Sequence, residues 1–324
     1  MEVCHIALSD LHIGEEDSIL TPPAGEKESA HEDYWRPLGD FFESVISKNR
    51  RLPTLILLGD VVEFALSDPL DSQRLFFGFL RYLLIRRGLF GRVIYLPGNH
   101  DHHIWELSKE AQYVSYVNRK GSVALKERPW NRTKAYVTKD HHFVTPYFWQ
   151  GLMDDGVDIK ILYPNYFLGD EEGKLLIAFH HGHFLEPTYI LLSRLKRLLF
   201  GEEIPSGIDT LEEENGPWIE FLFSSFGFSG EVGKRAETLY ELLQSERGME
   251  RFLLGISSRL LGELRIRGPL NRLLDFPFSL FLRYLLRLVY RGHERKRPSE
   301  LFSKELESGL QWYINYPLKA QLFE

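Results

Sequence analysis

Four short stretches combine carboxylates, imidazoles and an amide at spacings that could hold divalent cations. They are Asp10-Leu11-His12, Gly59-Asp60 with Glu63 three residues on, Gly98-Asn99-His100-Asp101, and His180-His181-Gly182-His183. Mixed Asp, His and Asn donors suit borderline metals such as Mn, Fe, Zn or Co. A carboxylate between two cations can bridge them, and such a pair can clamp a phosphate and lower the pKa of a bound water. Gly59 and Gly98, beside the donors, would let the backbone turn sharply and a phosphate approach.

Each stretch alone also has an ordinary reading. Asp10 with His12 could form a surface turn, Asp60 and Asn99 are common turn formers, and His100 could be a surface histidine. Glu63 is expected to hold a loop or a helix start rather than a metal. Successive strand residues face opposite ways, so only one of His180 and His181 should reach a shared site. His181, which precedes the glycine, is the expected donor; His180 should be packed or solvated.

Every one of these stretches follows an apolar run. Val3 to Leu8 reads as a short buried strand, TLILLGD (54–60) as a second and RVIYLPGNHD (92–101) as a third. IKILYPNYFLG (159–169) and KLLIAFHHG (174–182) read as a hairpin around an acidic glycine turn. Residues two apart on a strand point the same way, so past the strand end Asp10 and His12 can aim at one cation. Residues 32–48 have helical spacing, with Trp35, Leu38, Phe41, Phe42, Val45 and Ile46 on one side and Pro37 fitting only near the first turn. A second helix is expected over 71–87, with Leu75, Phe76, Phe79, Tyr82 and Leu83 inward. The alternation predicts βαβ units and a partly parallel sheet. Donors at the carboxyl ends of neighbouring strands in such a sheet converge.

The chain of 324 residues is long enough for a large core with a second domain or a sizeable insertion. Its net charge of −7 argues against non-specific nucleic-acid binding by the whole chain. The one cysteine, Cys4, excludes an internal disulfide, suits a reducing compartment and is expected to be a small buried residue. No signal peptide is visible, and no run approaches the roughly 18 apolar residues of a membrane span. The expected location is therefore the cytoplasm.

The set D-x-H, G-D-x-x-E, G-N-H-D and H-G-H, in this order over about 1–186, resembles the calcineurin-like metallophosphoesterases. The S-D-L-H opening and the G-D-x-x-E variant look like the branch containing UDP-2,3-diacylglucosamine pyrophosphatase, which acts on a lipid-linked substrate. The resemblance implies an α/β fold, a two-sheet sandwich flanked by helices. It implies a dinuclear site of two divalent metal ions, manganese first among them, that hydrolyses a phosphate ester or pyrophosphate through a metal-activated hydroxide. On that pattern Asp10 and His12 bind the first metal, Asp60 bridges both, and Asn99 and His181 bind the second. His100 contacts the substrate phosphate, with Asp101 orienting it.

The family's last motif, G-H-x-H after a strand, is not found; the nearest string is Gly292-His293-Glu294-Arg295. The expected organisation is a core over 1–186, a helical insertion or cap over 187–300, and a C-terminal helical segment over 301–324 that ends before the last core strand. The alternative to an intact enzyme is a truncated or degenerate domain of weak or no activity, serving as a binding or membrane-surface protein. His183 is then a substitute approaching the site. His5, His102, His103, His141 and His142 take the plain reading of core or surface histidines. Within the insertion, Arg194, Lys196 and Arg197 sit beside an apolar face, and Arg283, Arg287, Arg291 and Arg295 recur every four residues as one basic ridge. The common reading is a solvated arginine face. The functional one is contact with an anionic lipid surface or with the phosphate of a small or lipid-linked substrate. The acidic total makes nucleic acid the weaker partner.

Overall fold

A computed structural model describes residues 2–121, 131–133, 152, 155–169, 176–230, 233 and 304–322. Four strands form a parallel sheet in the order β1 (His5–Leu8), β2 (Thr54–Leu58), β3 (Arg92–Leu96) and β4 (Asp158–Ile161). A second, antiparallel pair joins β5 (Asn165–Gly169) to β6 (Leu176–His180). Helices α1 (His31–Ile46), α2 (Pro69–Arg81) and α3 (His103–Lys120) flank the parallel sheet. The α/β class and the partly parallel sheet are as the alternation of runs predicts.

Side-chain alternation decides which face of the sheet meets which layer. Leu55 and Leu57 of β2, with Val93 and Tyr95 of β3, pack with Trp35 and Phe42 of α1 and Phe76 and Phe79 of α2. The intervening Ile56, Ile94 and Leu96 face the other way and form a second cluster with Leu162 and Tyr166, against which Phe179 packs. β2 and β3 are thus apolar on both faces, as buried parallel strands must be.

Five expectations need correction. The run 159–169 is two strands, not one: β4 joins the parallel sheet, the chain turns at Tyr163-Pro164, and only β5 pairs with β6. An unbroken apolar run hides that break, because burial on two different sheets needs the same residue types. β1 lies at the edge of the described sheet and is only half-buried, and Cys4 just before it is exposed. On α1, Phe41 and Val45 face solvent, since the sheet covers a narrower stripe than the spacing allows. Pro37 stands inside α1, beyond its first turn, on an exposed face where water can satisfy the carbonyl it leaves without a donor. α2 starts at Pro69, capped by the Asp68 side chain, and its last turn widens over Tyr82–Arg86.

Beyond β6 the described chain is helical: α4 (Leu191–Phe200), α5 (Ile208–Ile219), a wide turn over Glu220–Ser224, and α6 (Lys304–Tyr313). Ile208, Leu211, Ile219 and Phe223 belong to the same apolar cluster as β3 and β4. Tyr313 stacks on His180 and its hydroxyl donates to Asn165 Oδ1, which ties α6 to the β5–β6 pair. The basic ridge 283–295, the Gly292-His293 string, His141 and His142 lie outside the described residues. Among the described residues no helix is long and apolar enough to cross a membrane.

Candidate metal centre

The carboxyl ends of β1, β2, β3 and β6 bring the four motifs to one place. Among the described residues three non-glycines take left-handed backbone conformations, and all three are expected donors: Asp10 (φ 54°), His12 (φ 45°) and Asp60 (φ 51°). Such conformations persist only where the surroundings impose them. Here they are imposed by cross-loop hydrogen bonds. Asp10 N donates to Gly59 O (3.1 Å), His12 N to Asp60 O (2.9 Å) and Ile13 N to Val61 O (2.9 Å). The two loops therefore run side by side beyond the sheet and turn their side chains toward β3 and β6.

Asp10, Asp60, Asn99 and His181 line one cavity of about 240 Å³, with His183, Glu186, Tyr189 and Leu306 on its other walls. His181 Nδ1 lies 3.1 Å from Leu58 O, so that nitrogen carries the proton and donates it. Nε2 then points at Asp60 Oδ2 (3.1 Å) and Asn99 Oδ1 (3.1 Å). Three lone-pair donors facing one another need either a proton or a cation between them. The donor atoms of Asp10, Asp60 and His181 are within 4.8 Å of one another, which suits a divalent ion. Burial drives the His181 imidazole toward neutrality, but Asp60 more than restores its charge and raises it to about 9. Burial likewise pushes the Asp60 carboxyl up, while His181 and His100 together hold it well below the carboxylate range.

A second group of His12, Glu63 and His100 sits beside the first. Glu63 is fully buried. Its Oε1 accepts from Ala65 N (2.7 Å) and Leu66 N (2.9 Å), which holds the loop, the task expected of it. Its Oε2 also takes His12 Nδ1 at 3.0 Å and His100 Nδ1 at 2.7 Å, a tie to both rings that sequence reasoning missed. The fixed three-residue step from Asp60 was the signal available. Occupying both Nδ1 atoms leaves each Nε2 as the nitrogen that can reach a cation or a phosphate. Burial opposes ionisation of Glu63, but the two histidines hold it down to about 2.

Asp101 is placed under the turn rather than beside its histidine. Its Oδ2 accepts from Val61 N (2.9 Å) and the Tyr95 hydroxyl, and its Oδ1 from Gly98 N (2.6 Å). The carboxylate against His100 Nδ1 is that of Glu63. Gly98 has no room for a side chain: a Cβ there would lie 2.7 Å from Asp60 N and 2.9 Å from His181 Cδ2. His180 lies against Tyr313, and His183 forms a cavity wall with its Nε2 3.0 Å from the Tyr163 hydroxyl. His102, expected to be a plain core or surface residue, is buried between Glu212 and Glu220.

Neither the curated proteins nor the solved structures give a match to the chain. A family model described as calcineurin-like phosphoesterase matches residues 6–227, which includes all four motifs and runs past α5. With that match over more than half of its length, and with the strand-end donors gathered at one cavity, the chain belongs to the calcineurin-like phosphoesterases.

Proposed function

We propose that the protein hydrolyses a phosphate ester or pyrophosphate at a pair of divalent cations, manganese first among them. Asp10, His12, Asp60, Asn99 and His181 would hold the metals, with Asp60 in the bridging place. The observation that carries this reading is the meeting of His181 Nε2, Asp60 Oδ2 and Asn99 Oδ1 on a cavity wall, where a divalent cation could replace the proton that otherwise lies between them. Bound divalent metals would neutralise phosphate charge and acidify water. The remaining work falls to the chain. His100, held through Nδ1 by Glu63, presents Nε2 to the phosphate, where it can steady negative charge or give a proton to the leaving oxygen. Gly59 and Gly98 keep the floor of the site bare.

The substrate we infer is phosphorylated and has an apolar portion. Next to the metal cavity, with Leu185 lining both, lies a groove of about 710 Å³ whose wall includes Phe184, Ile190, Trp312, Arg194 and Arg197. A lipid-linked phosphate suits such walls. Peripheral contact with an anionic membrane is a second reading, favoured by the exposed Leu198, Leu199 and Phe200 beside those arginines. Liposome sedimentation that is independent of anionic lipid and of salt would remove it.

Elemental analysis followed by a manganese-supplemented phosphodiester assay tests the central claim. Asp60→Ala should lose both metal and turnover. His100→Ala should keep its metal and lose turnover by on the order of a hundredfold or more, the usual worth of a placed acid or base. Full activity in Asp60→Ala refutes the bridging place, and metal loss in His100→Ala refutes the role of His100.

A further inference from the structure

The turn that carries Asn99, His100 and Asp101 is gripped from outside the motif set. Ser224 Oγ donates to His100 O (3.2 Å) and accepts from His103 N (2.8 Å). Glu212 Oε1 takes His102 Nε2 at 2.9 Å, and Glu220 Oε2 takes His102 Nδ1 at 3.1 Å. The other oxygen of Glu220 takes His103 Nδ1 at 2.6 Å. Five polar contacts from α5 and its wide last turn thus fall on three residues of the 100–103 turn, His100, His102 and His103. His102, Glu212 and Ser224 are all essentially inaccessible to solvent.

An imidazole with a carboxylate on each nitrogen donates twice and is therefore a cation. Burial opposes that charge, but Glu212 and Glu220 push His102 up to about 10. Glu212 is held in turn: the Tyr163 hydroxyl donates to its Oε2 at 2.8 Å, and that hydroxyl accepts from His183 Nε2 at 3.0 Å. A continuous buried chain therefore runs from the cavity wall, through β4's end, to the turn.

Buried ion pairs seldom stabilise more than apolar packing of the same volume, but they fix one register. Asp101 already holds the near side of this turn through Gly98 N, Val61 N and Tyr95. The α5 contacts hold the far side, so the placement of Asn99 and His100 depends on both.

We propose that Glu212, Glu220 and Ser224 are positioning residues that clamp the 100–103 turn and set the reach of Asn99 and His100 over the metal centre. This rests on the phosphoesterase reading above. The test uses the full chain with Glu220→Gln and, as a smaller change, Ser224→Ala. Turnover of bis(p-nitrophenyl) phosphate is measured at saturating manganese, with the visible absorption of the cobalt-loaded protein as a second readout. A loosened turn should lower kcat about tenfold per variant while KM stays within about twofold, because a small misplacement removes transition-state contacts first. The cobalt spectrum should shift, because Asn99 moves. Wild-type kcat in both folded variants overturns the proposal, and so does a loss that merely tracks the unfolded fraction. If the wild-type chain shows no turnover, the hydrolase reading fails on its own. The clamp is then decided by the cobalt spectrum: a shift in Glu220→Gln supports it, and an unchanged spectrum overturns it.

Discussion

Replacing Gly98 by alanine perturbs the site by one methyl group at a known point. That methyl would lie 2.7 Å from Asp60 N and 2.9 Å from His181 Cδ2, and closer still to Asp60 Oδ1. Ordinary van der Waals contact begins near 3.4 Å, so the backbone of Asp60 must retreat by about 0.7 Å. It is not free to do so, because its carbonyl accepts from His12 N and its side chain from His100 N at 2.8 Å. The strain therefore passes to the donors themselves. Overpacking of this kind costs about 1–3 kcal/mol, a fall of roughly 1.5–4.5 °C in melting midpoint for a chain of 324 residues. A displacement approaching 1 Å at reacting groups can remove about a hundredfold of rate. Gly98 does not have positive φ, so the loss cannot be assigned to backbone strain. The assay is kcat/KM on a phosphodiester together with metal content by elemental analysis. Gly207→Ala, at a position with nothing within 4 Å, is the control. Wild-type activity and metal content in Gly98→Ala would show that Asp60 and His181 are not held as described.

Two further outcomes follow from the same geometry. In the metal-free protein His181 is raised to about 9 by Asp60 and His102 to about 10 by its two carboxylates, against an ordinary value near 6.5. Their contribution to stability is fully present below pH 6.5 and is lost as pH rises through 9 to 10. The melting midpoint in chelator should fall across that window, and excess manganese should flatten the part due to His181; a pH-independent midpoint in chelator contradicts the pairing. Tyr163→Phe removes the hydroxyl that donates to buried Glu212, and urea denaturation should register a loss of about 1–3 kcal/mol. An unchanged denaturation midpoint would mean that Glu212 is not held by that hydroxyl.

Much of the centre was legible before the structure. Asp10, Asp60, Asn99 and His181 each follow an apolar run, and the ends of neighbouring parallel strands lie together, so type and position sufficed to gather them. The pairing of His12 and His100 through Glu63 was not legible. It depends on loop conformations that bring residues from three motifs onto one carboxylate oxygen. Nor was the seat of Asp101 legible, since its neighbours in sequence do not reveal that Val61 and Tyr95 meet it.

The sequence by itself determined the chemistry available here. It set the donor types, the glycines beside them and the apolar runs that carry them, all properties of local composition and spacing. The tertiary structure alone decided which donors share a cavity, which carboxylate meets His100, where the run 159–169 breaks between two sheets, and that α5 grips the His100 turn. The physical reason is range. Periodicity and residue type report on a residue's own few neighbours, whereas a hydrogen bond between His102 and Glu212 joins positions 110 residues apart and exists only once the whole chain has packed.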